Sequence, residues 1–446
     1  MLARGIGMAV LIFLFFCPGW SANLIAQQPA SNRQIDSIAL QRAHLMLHQA
    51  YDEIRKNYYD TTFHGVDLDK SYQQFNARLD ISKSVNESFR VVAAFMLNLH
   101  DSHTFFMPPT RTNRSTPGFF MQLIGDKCLI TRIRPGTDAS AKLHVGDQVL
   151  ALDGFKITPE DFHDVVYFIQ VLSPAPAEML DLQSPAGERR QETVNTTLRK
   201  GKQVVDLTGG GEGGDFWQLV RNDEEDEHLS RARTFESGDT LFWRMPSFEV
   251  QPGDVARTIT KAIKQKNLVI DLRDNSGGYV DTLKEMLGHF FNHEVKLGDR
   301  VTRKETKAEM IKPRTPYYSG NVIVLVDHNS ASAAELFARV IQLEHRGKVI
   351  GDRSAGAVME ANDLEESIGT DYQVDYGLSI TEANIVMSDG KSLENAGVVP
   401  DELMVPTATD LATAKDPVLA HAAELDNVKL DPSAAGKLFP YEWPSL

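Results

Sequence analysis

The stretch Val322-Ile-Val-Leu-Val-Asp-His-Asn-Ser-Ala-Ser-Ala-Ala-Glu335 passes from five apolar residues through a polar turn into small, helix-forming residues. An apolar run of this length bounded by turn residues reads as a strand buried on both faces, as in parallel sheets. Outward from it the same texture recurs at Leu268-Val-Ile-Asp-Leu272, at Val349-Ile350 and at Leu241 to Trp243. Between these lie segments of helical character, Asp254 to Lys264, Val280 to Phe291 and Ala333 to His345. The alternation predicts an α/β core, a mainly parallel sheet flanked by helices, with functional groups gathered at the carboxyl ends of the strands.

Ser332 stands where strand gives way to helix. Unpaired backbone N–H groups and the helix dipole at such a place stabilise an oxyanion. Ser332-Ala-Ala-Glu335 also reads as a capping box, a purely structural device. The preceding buried strand ends in Asp271-Leu-Arg-Asp-Asn-Ser-Gly-Gly278, which a parallel sheet would bring to the same edge; paired glycines there let a backbone N–H face a ligand with no side chain in the way. A serine nucleophile needs a base, a histidine or a desolvated lysine. His103 stands out among the 13 histidines, in a short polar loop between a helix ending at Leu99 and the breaker Pro108-Pro109. The spacing of His100 and His103 would also suit a metal, but no third or fourth ligand lies nearby in sequence, and neither metal nor other cofactor is expected.

Before this core, apolar residues at Leu40, Leu47, Tyr51, Ile54 and Tyr58 have a helix period, and Ser84-Val-Asn-Glu87 announces a second helix through Phe89, Val92, Met96 and Leu99. A polar link, Arg111 to Pro117, leads into strands at Phe119 to Ile124, Lys127 to Ile133, Gln148 to Leu152, Met179 to Leu182 and Thr193 to Leu198. A helix opening at Thr158-Pro159 is expected among them. Pro117 to Lys200 resembles a PDZ domain, above all in Gly136-Thr-Asp-Ala-Ser-Ala-Lys-Leu-His-Val-Gly-Asp147 and Val149-Leu-Ala-Leu-Asp-Gly154. Gly209 to Gly214 lacks the Lys-Ser/Thr of a phosphate loop and reads as a flexible loop. Asn222 to Glu227 lacks metal-loop spacing and reads as a solvated acidic run.

Four motifs in order, Leu99-His-Asp-Ser-His-Thr104, Val269-Ile-Asp-Leu-Arg-Asp-Asn-Ser-Gly-Gly278, Ser330-Ala-Ser-Ala-Ala-Glu335 and Val349-Ile-Gly-Asp-Arg-Ser-Ala-Gly356, resemble those of the C-terminal processing peptidases, the serine peptidase family that contains the tricorn protease core. The resemblance runs from about Leu99 to Val405 and implies a ClpP/crotonase-like core, with Ser332 as nucleophile and the N–H groups of Ala333 and Gly278, ahead of Gly277, as oxyanion donors. One branch of the family uses a lysine base, but the matching position here is Ala357, and Lys348 lies on the wrong side of the strand to replace it. The tricorn-like branch pairs its serine with a histidine supported by a serine and a glutamate. This implies His103 as base, Ser102 as the supporting hydroxyl and Glu394 as the glutamate, with Glu335 and Glu360 as competitors. The PDZ resemblance implies a site for a substrate C-terminus near Gly118, Phe119 and Phe120.

Composition bounds the rest. With 46 Lys+Arg against 61 Asp+Glu, a net charge of −15 argues against a nucleic-acid binder; 42% hydrophobic and 24% charged residues describe a globular protein. Arg4, the apolar run Met8 to Cys17 and the small residues before Asn23 read as an export signal, cut after Ala22 or Ala26, too short in its apolar part for a comfortable membrane span. Removing it takes Cys17 away and leaves Cys128, so no intramolecular disulfide is expected. The expected plan is a signal (1–26), an N-terminal helical region (27–116), a PDZ-like domain (117–200), a peptidase core (201–410) and a C-terminal extension (411–446). The sequence thus predicts a periplasmic or extracellular endopeptidase acting on peptide or protein substrates. A non-catalytic peptide- or lipophile-binding protein on the same scaffold is the second reading; acyl-CoA chemistry on a crotonase-like fold finds no support, because export would part the enzyme from its cofactor.

Overall fold

The computed structural model describes residues 35–109, 113–200, 232–369 and 373–443. The export signal, the glycine run Gly209 to Gly214 and the acidic run Asn222 to Glu227 lie outside the described residues. Three helices come first, α1 (Ser37–Asn57), α2 (Leu68–Leu79) and α3 (Val85–Leu97). α1 buries Ala39, Ala43, Met46, Leu47, Ala50 and Ile54, one stripe at helical spacing. α2 went unread in the sequence, because its buried Leu68, Phe75 and Leu79 are set among charged and amide side chains. The Ser84 hydroxyl caps α3 by accepting the Glu87 N–H at 3.2 Å, while the Glu87 carboxylate accepts from the Lys83 N–H at 2.7 Å, one residue earlier than a capping box requires. From Ser88 to Leu97 every residue of α3 is buried, so the helix lies inside the protein and delivers the following loop to a defined place.

That loop leads into β1 (Phe105–Met107). There follow β2 (Asn113–Thr116), β3 (Phe119–Ile124), β4 (Lys127–Ile133), α4 (Asp138–Lys142), β5 (Gln148–Leu152), β6 (Phe155–Lys156), α5 (Phe162–Val166), β7 (Ala177–Gln183), β8 (Arg189–Asn195) and β9 (Thr197–Lys200). β3-β4-β5-β7-β8 form an antiparallel sheet with β6 on β5, and β2 pairs with β9. The polar link therefore contains a short strand, and the strand expected over Thr193 to Leu198 is divided between β8 and β9. The helix expected from Thr158 begins only at Phe162, because the Asp161 N–H turns back to the Thr158 carbonyl at 3.2 Å and the Thr158 hydroxyl donates to Asp161 at 2.9 Å. Cys128 is buried in β4, where loss of water pushes its thiol well above the usual range.

The last part contains β10 (Arg233–Ser237), β11 (Thr240–Arg244), α6 (Pro252–Ala262), β12 (Asn267–Asp271), α7 (Val280–Gly288), β13 (Val295–Thr302), β14 (Thr306–Ile311), β15 (Asn321–Val326), α8 (Ala333–Leu343), β16 (Lys348–Gly351), β17 (Glu360–Ile368), β18 (Val374–Met387), β19 (Glu402–Leu403), α9 (Ala408–Ala412), α10 (Pro417–Leu425) and α11 (Pro432–Ala435). β10-β11-β12-β15-β16-β19 form one sheet, parallel except at the β10–β11 pair. Its strands alternate between two cores: Leu241, Trp243, Leu268, Ile270, Val322, Val324 and Val349 pack with α6, α7 and α8, whereas Phe242, Val269, Ile323, Leu325 and Ile350 face α10 and α11. Burial on both faces is why these strands read as continuous apolar runs.

The expectation of a mainly parallel fold holds for this sheet and not for the chain. A second sheet, β1-β18-β13-β14 with β17 on β18, is antiparallel throughout, as is the sheet of β3 to β8. Strands such as Glu360–Ile368 keep several side chains in water and so never make the apolar run by which the parallel strands were found. β18 is the bridge between regions: one edge pairs with β1, and its Tyr376, Leu378 and Ile380 join the core of the N-terminal helices. No helix among the described residues is long and apolar enough to cross a membrane.

Leu325 is fully buried between the parallel sheet and α10, so Leu325→Ala is expected to lower stability by about 2–5 kcal/mol. An unchanged denaturation midpoint would show that α10 does not seal this face.

Candidate active site

The serine turn begins at the end of β15. Ser330 is fully buried, donating its hydroxyl to the Leu272 carbonyl at 2.8 Å and accepting the Asp327 N–H at 2.9 Å. Ser332 is only half-buried and starts α8 with φ 52° and ψ −118°. A non-glycine residue in this region costs about 1–3 kcal/mol and persists only where its surroundings impose it. Here the Ser332 N–H is held by the Ala357 carbonyl at 2.8 Å and the Glu335 carboxylate at 3.1 Å.

The glycine loop meets this turn directly. Gly277 and Gly278 have φ of 99° and 132°, and a Cβ on Gly277 would come within 2.7 Å of the Ser332 Cβ. One on Gly278 would strike the Glu249 N at 2.5 Å. Both positions therefore require glycine. Asn275, which the sequence reading passed over, joins the two loops: its carbonyl accepts the Ala331 N–H at 2.9 Å, its Oδ1 the Gly277 N–H at 2.8 Å, and its Nδ2 donates to the Met245 carbonyl at 2.7 Å. The Gly277 N–H is thereby engaged. Among the described residues the Gly278 and Ala333 N–H groups have no such acceptor.

The histidine loop is organised by Asp101. Its buried carboxylate accepts the N–H groups of His103 and Thr104 at 2.9 and 2.8 Å and the hydroxyls of Thr381 and Tyr58, each at 2.6 Å. Ser102 Oγ then lies 2.6 Å from His103 Nδ1 and donates to Glu394 Oε2 at 3.0 Å, while the Ser102 N–H donates to Glu394 Oε1 at 2.7 Å. With Glu394 ionised, the Ser102 hydroxyl proton points to the carboxylate, so its oxygen accepts Nδ1–H of His103, and this tautomer makes Nε2 the basic nitrogen of the ring.

Two successive residues unite the halves. The Ala357 carbonyl receives the Ser332 N–H, and the Val358 N–H donates to Glu394 Oε2 at 3.0 Å. Glu335, a competitor for the supporting role, instead gathers the Ser354 hydroxyl at 2.6 Å and the Gly356 and Ala357 N–H groups at 2.7 and 2.8 Å, which fixes the segment where a lysine base is missing. The other competitor, Glu360, pairs with Arg300 at 2.5 Å. Lys348 pairs with Glu402 at 2.5 Å. His100 contributes its carbonyl to the Asn395 side chain at 3.2 Å, and among the described residues no group of three or more His, Cys, Asp or Glu side chains could hold a metal ion.

Burial sets the proton equilibria. Loss of water lowers His103 to about 4, against the opposing pull of Asp101, so the imidazole is neutral at neutral pH. Burial, then repulsion from Asp101, raises Glu394 to about 8; burial raises Glu335 to about 7. Their N–H and hydroxyl donors oppose the rise without cancelling it.

The β3–β8 sheet is fastened to the same loops. Arg132 forms an ion pair with Asp274, three positions before Gly277; Gln122 donates to Asp327 at 2.6 Å and the Gly125 N–H to Asp352 at 2.6 Å. Gly118 and Phe119 are buried, whereas Phe120 is exposed at the edge strand β3.

Residues 239–404, which carry Ser332, both glycines, Glu335 and Glu394, match the model of peptidase family S41, and residues 42–96 match that of the tricorn protease C1 domain. Over 239–404 the chain is thus similar to the core of a serine-type peptidase of family S41. His103 and Ser102 lie between its two matched segments. The chain is 26% identical over 324 residues to a tail-specific protease of Haemophilus influenzae, covering 68% of this chain and 43% of that one. It is 29% identical over 186 residues to a probable CtpA-like serine protease of Staphylococcus epidermidis, covering 40% and 36%. The chain thus spans less than half the length of these relatives. With the chloroplastic C-terminal processing peptidase of Tetradesmus obliquus it shares 22% identity over 395 residues, 82% of this chain and 79% of the other. In fold it is similar to mature CPAF, with a TM-score of 0.64 at 16% identity, over 84% of this chain and 95% of that one.

A group whose pKa is raised on folding lends stability that is complete below its unfolded value and is lost as pH rises through its folded value. Glu335 and Glu394 start from 4.5, so their contribution begins to fade above that pH and is gone once pH has passed about 7 and about 8. The melting temperature should therefore fall from roughly pH 5 to about pH 8 and level off above, and Glu394→Gln should make the fall shallower and end it near pH 7; identical profiles for the two proteins would contradict the raised Glu394.

Proposed function

We propose that this chain is an exported serine endopeptidase in which Ser332 attacks the peptide carbonyl and His103, oriented by Ser102 and Glu394, is the general base. The observation that carries the reading is the continuous path Glu394–Ser102–His103, tied through Val358 and Ala357 to the strained turn of Ser332. His103 Nε2 takes the hydroxyl proton as the Ser332 Oγ–C bond forms. The imidazolium donates its Nδ1–H to the Ser102 oxygen, whose own hydroxyl proton stays on Ser102 and is hydrogen-bonded to the ionised Glu394. The oxyanion is received by the Gly278 and Ala333 N–H groups, each contributing about 2.7–4 kcal/mol in comparable sites. His103 then protonates the leaving amine, and water releases the acyl group by the reverse path.

A base works best with a pKa near the operating pH, and burial leaves His103 low. Ionisation of Glu394 restores basicity by placing a negative charge behind the Ser102 hydroxyl. The domain plan of the sequence reading belongs to the same proposal. A PDZ-like domain over 117–200 presents the substrate C-terminus at Gly118, Phe119 and Phe120, and the edge position of β3 supports this, since an extended peptide adds there as a further strand. Export rests on the N-terminal sequence, Arg4 followed by the apolar run Met8 to Cys17.

A fluorophosphonate probe is expected to label Ser332, and Ser332→Ala or His103→Ala should each lower kcat on a peptide substrate by at least about 10³-fold. Retention of cleavage in both variants would refute the assignment. The value of kcat/KM should rise with pH towards about 8, and Glu394→Gln should remove that limb while wild-type protein keeps it.

A further inference from the structure

The exposed face of the edge strand β3 is not empty. Phe120 and its cross-strand partner Arg132 lie side by side, with Arg134 two positions further along the same face. Onto them comes a segment from near the other end of the sequence, Pro440-Tyr-Glu-Trp443. The Trp443 ring stacks on Phe120 with centroids 5.1 Å apart and planes 9° from parallel, and Tyr441 meets the edge of Phe120 at 5.6 Å. The guanidinium of Arg132 lies 4.5 Å from the Tyr441 ring centre, and that of Arg134 lies 5.5 Å from the Trp443 ring. Between the two aromatics, Glu442 turns the other way and pairs with Arg233 at 2.5 Å, and Arg233 also donates to the Pro440 carbonyl at 2.8 Å.

This is ligand-like chemistry. Two rings, two positions apart, use an aromatic side chain and two cations of the sheet, and Arg233 clasps the carbonyl before them and the Glu442 carboxylate between them. Ring stacking and cation–π contacts of this kind contribute modestly one by one and select for aromatic partners. Because the segment belongs to the same chain, a free peptide competes against an effective concentration in the millimolar range.

We propose that Pro440–Trp443 is a built-in occupant of the peptide-recognition strand, and that the face of Phe120, Arg132 and Arg134 takes peptide segments of the form aromatic-x-aromatic once this occupant has left. The proposal rests on the reading of β3 as the substrate-presenting edge. It gives the site both a substrate preference and a brake: a peptide reaches β3 only in the fraction of molecules whose own segment is displaced, and its apparent affinity falls by that fraction.

The test uses a fluorescein-labelled peptide of sequence Pro-Tyr-Glu-Trp-Pro-Ser-Leu and the Ser332→Ala background, so that binding is read without cleavage. The chain ending at Phe439 should bind it at least about tenfold more tightly than the full chain, the factor expected if the strand is free a tenth of the time. The double variant Tyr441→Ser/Trp443→Ser, which keeps the chain length, should behave like the shortened chain. Phe120→Ser in the shortened chain should remove the gain. Equal binding by full and shortened chains, or binding indifferent to Phe120→Ser, overturns the proposal. With Ser332 restored, the shortened chain should cleave an aromatic-x-aromatic peptide faster by a similar factor. Absence of cleavage in every form would count against the peptidase reading alone, since binding still decides the occupant.

Discussion

A carboxylate taken out of water must collect donors, and Glu394 collects them from segments that have no other reason to meet. It receives the Ser102 N–H and hydroxyl from 292 positions away and the Val358 N–H from 36 positions away. An unsatisfied group in such a place costs about 1–3 kcal/mol, more when charged, so the three segments are obliged to stay together. Glu335 does the same for the other half, drawing Ser332, Ser354, Gly356 and Ala357 around one side chain. The histidine loop and the serine turn are thus neighbours because two buried acids share the short segment from Ser354 to Val358.

The sheet supplies the platform on which this works. Parallel strands β12, β15 and β16 end side by side, Asp271 beside Leu325 and Val326 beside Gly351, so the loops that follow them emerge together. Helices on both faces hold the strand ends in place, and the turn at Ser332 can keep a backbone conformation that a looser framework would relax. The antiparallel sheet has a different task. Through β1 on β18 it brings the end of α3, and hence Asp101, Ser102 and His103, to the same edge. The ion pair of Arg132 with Asp274 fastens the β3–β8 sheet to the glycine loop from the other side.

Much of this was legible in the order of residue types, and the omissions have physical causes. Buried parallel strands advertise themselves as apolar runs, and β3, β4 and β5 fell where alternation and turn residues placed them. α2 and the strands β13, β14 and β17 did not stand out, because a half-wet helix or strand carries too few apolar residues for its period to emerge from charged neighbours, and β18 did not because its buried positions include Gly377, Ser379 and Thr381. Ser332 and His103 could be named as candidates from the places they hold next to breakers, glycines and strand ends, and Ser102 from the resemblance of its motif to the tricorn-like branch. Among three eligible glutamates sequence could not decide, since Glu335, Glu360 and Glu394 differ only in what surrounds them after folding. Asn275 drew no role within the glycine motif and Tyr58 showed only as part of a helical stripe; the work of both is to hydrogen-bond partners that are distant in the chain.

By itself, the sequence determined the alternation that builds the core sheet, the glycines demanded at Gly277 and Gly278, and the absence of a lysine at Ala357, because these are properties of a residue and its immediate neighbours. Only the tertiary structure decided which acid meets Ser102, which of the two glycine N–H groups remains open, and what lies on the exposed face of β3. Each of these depends on the closure of very long loops, and no window along the chain contains both partners.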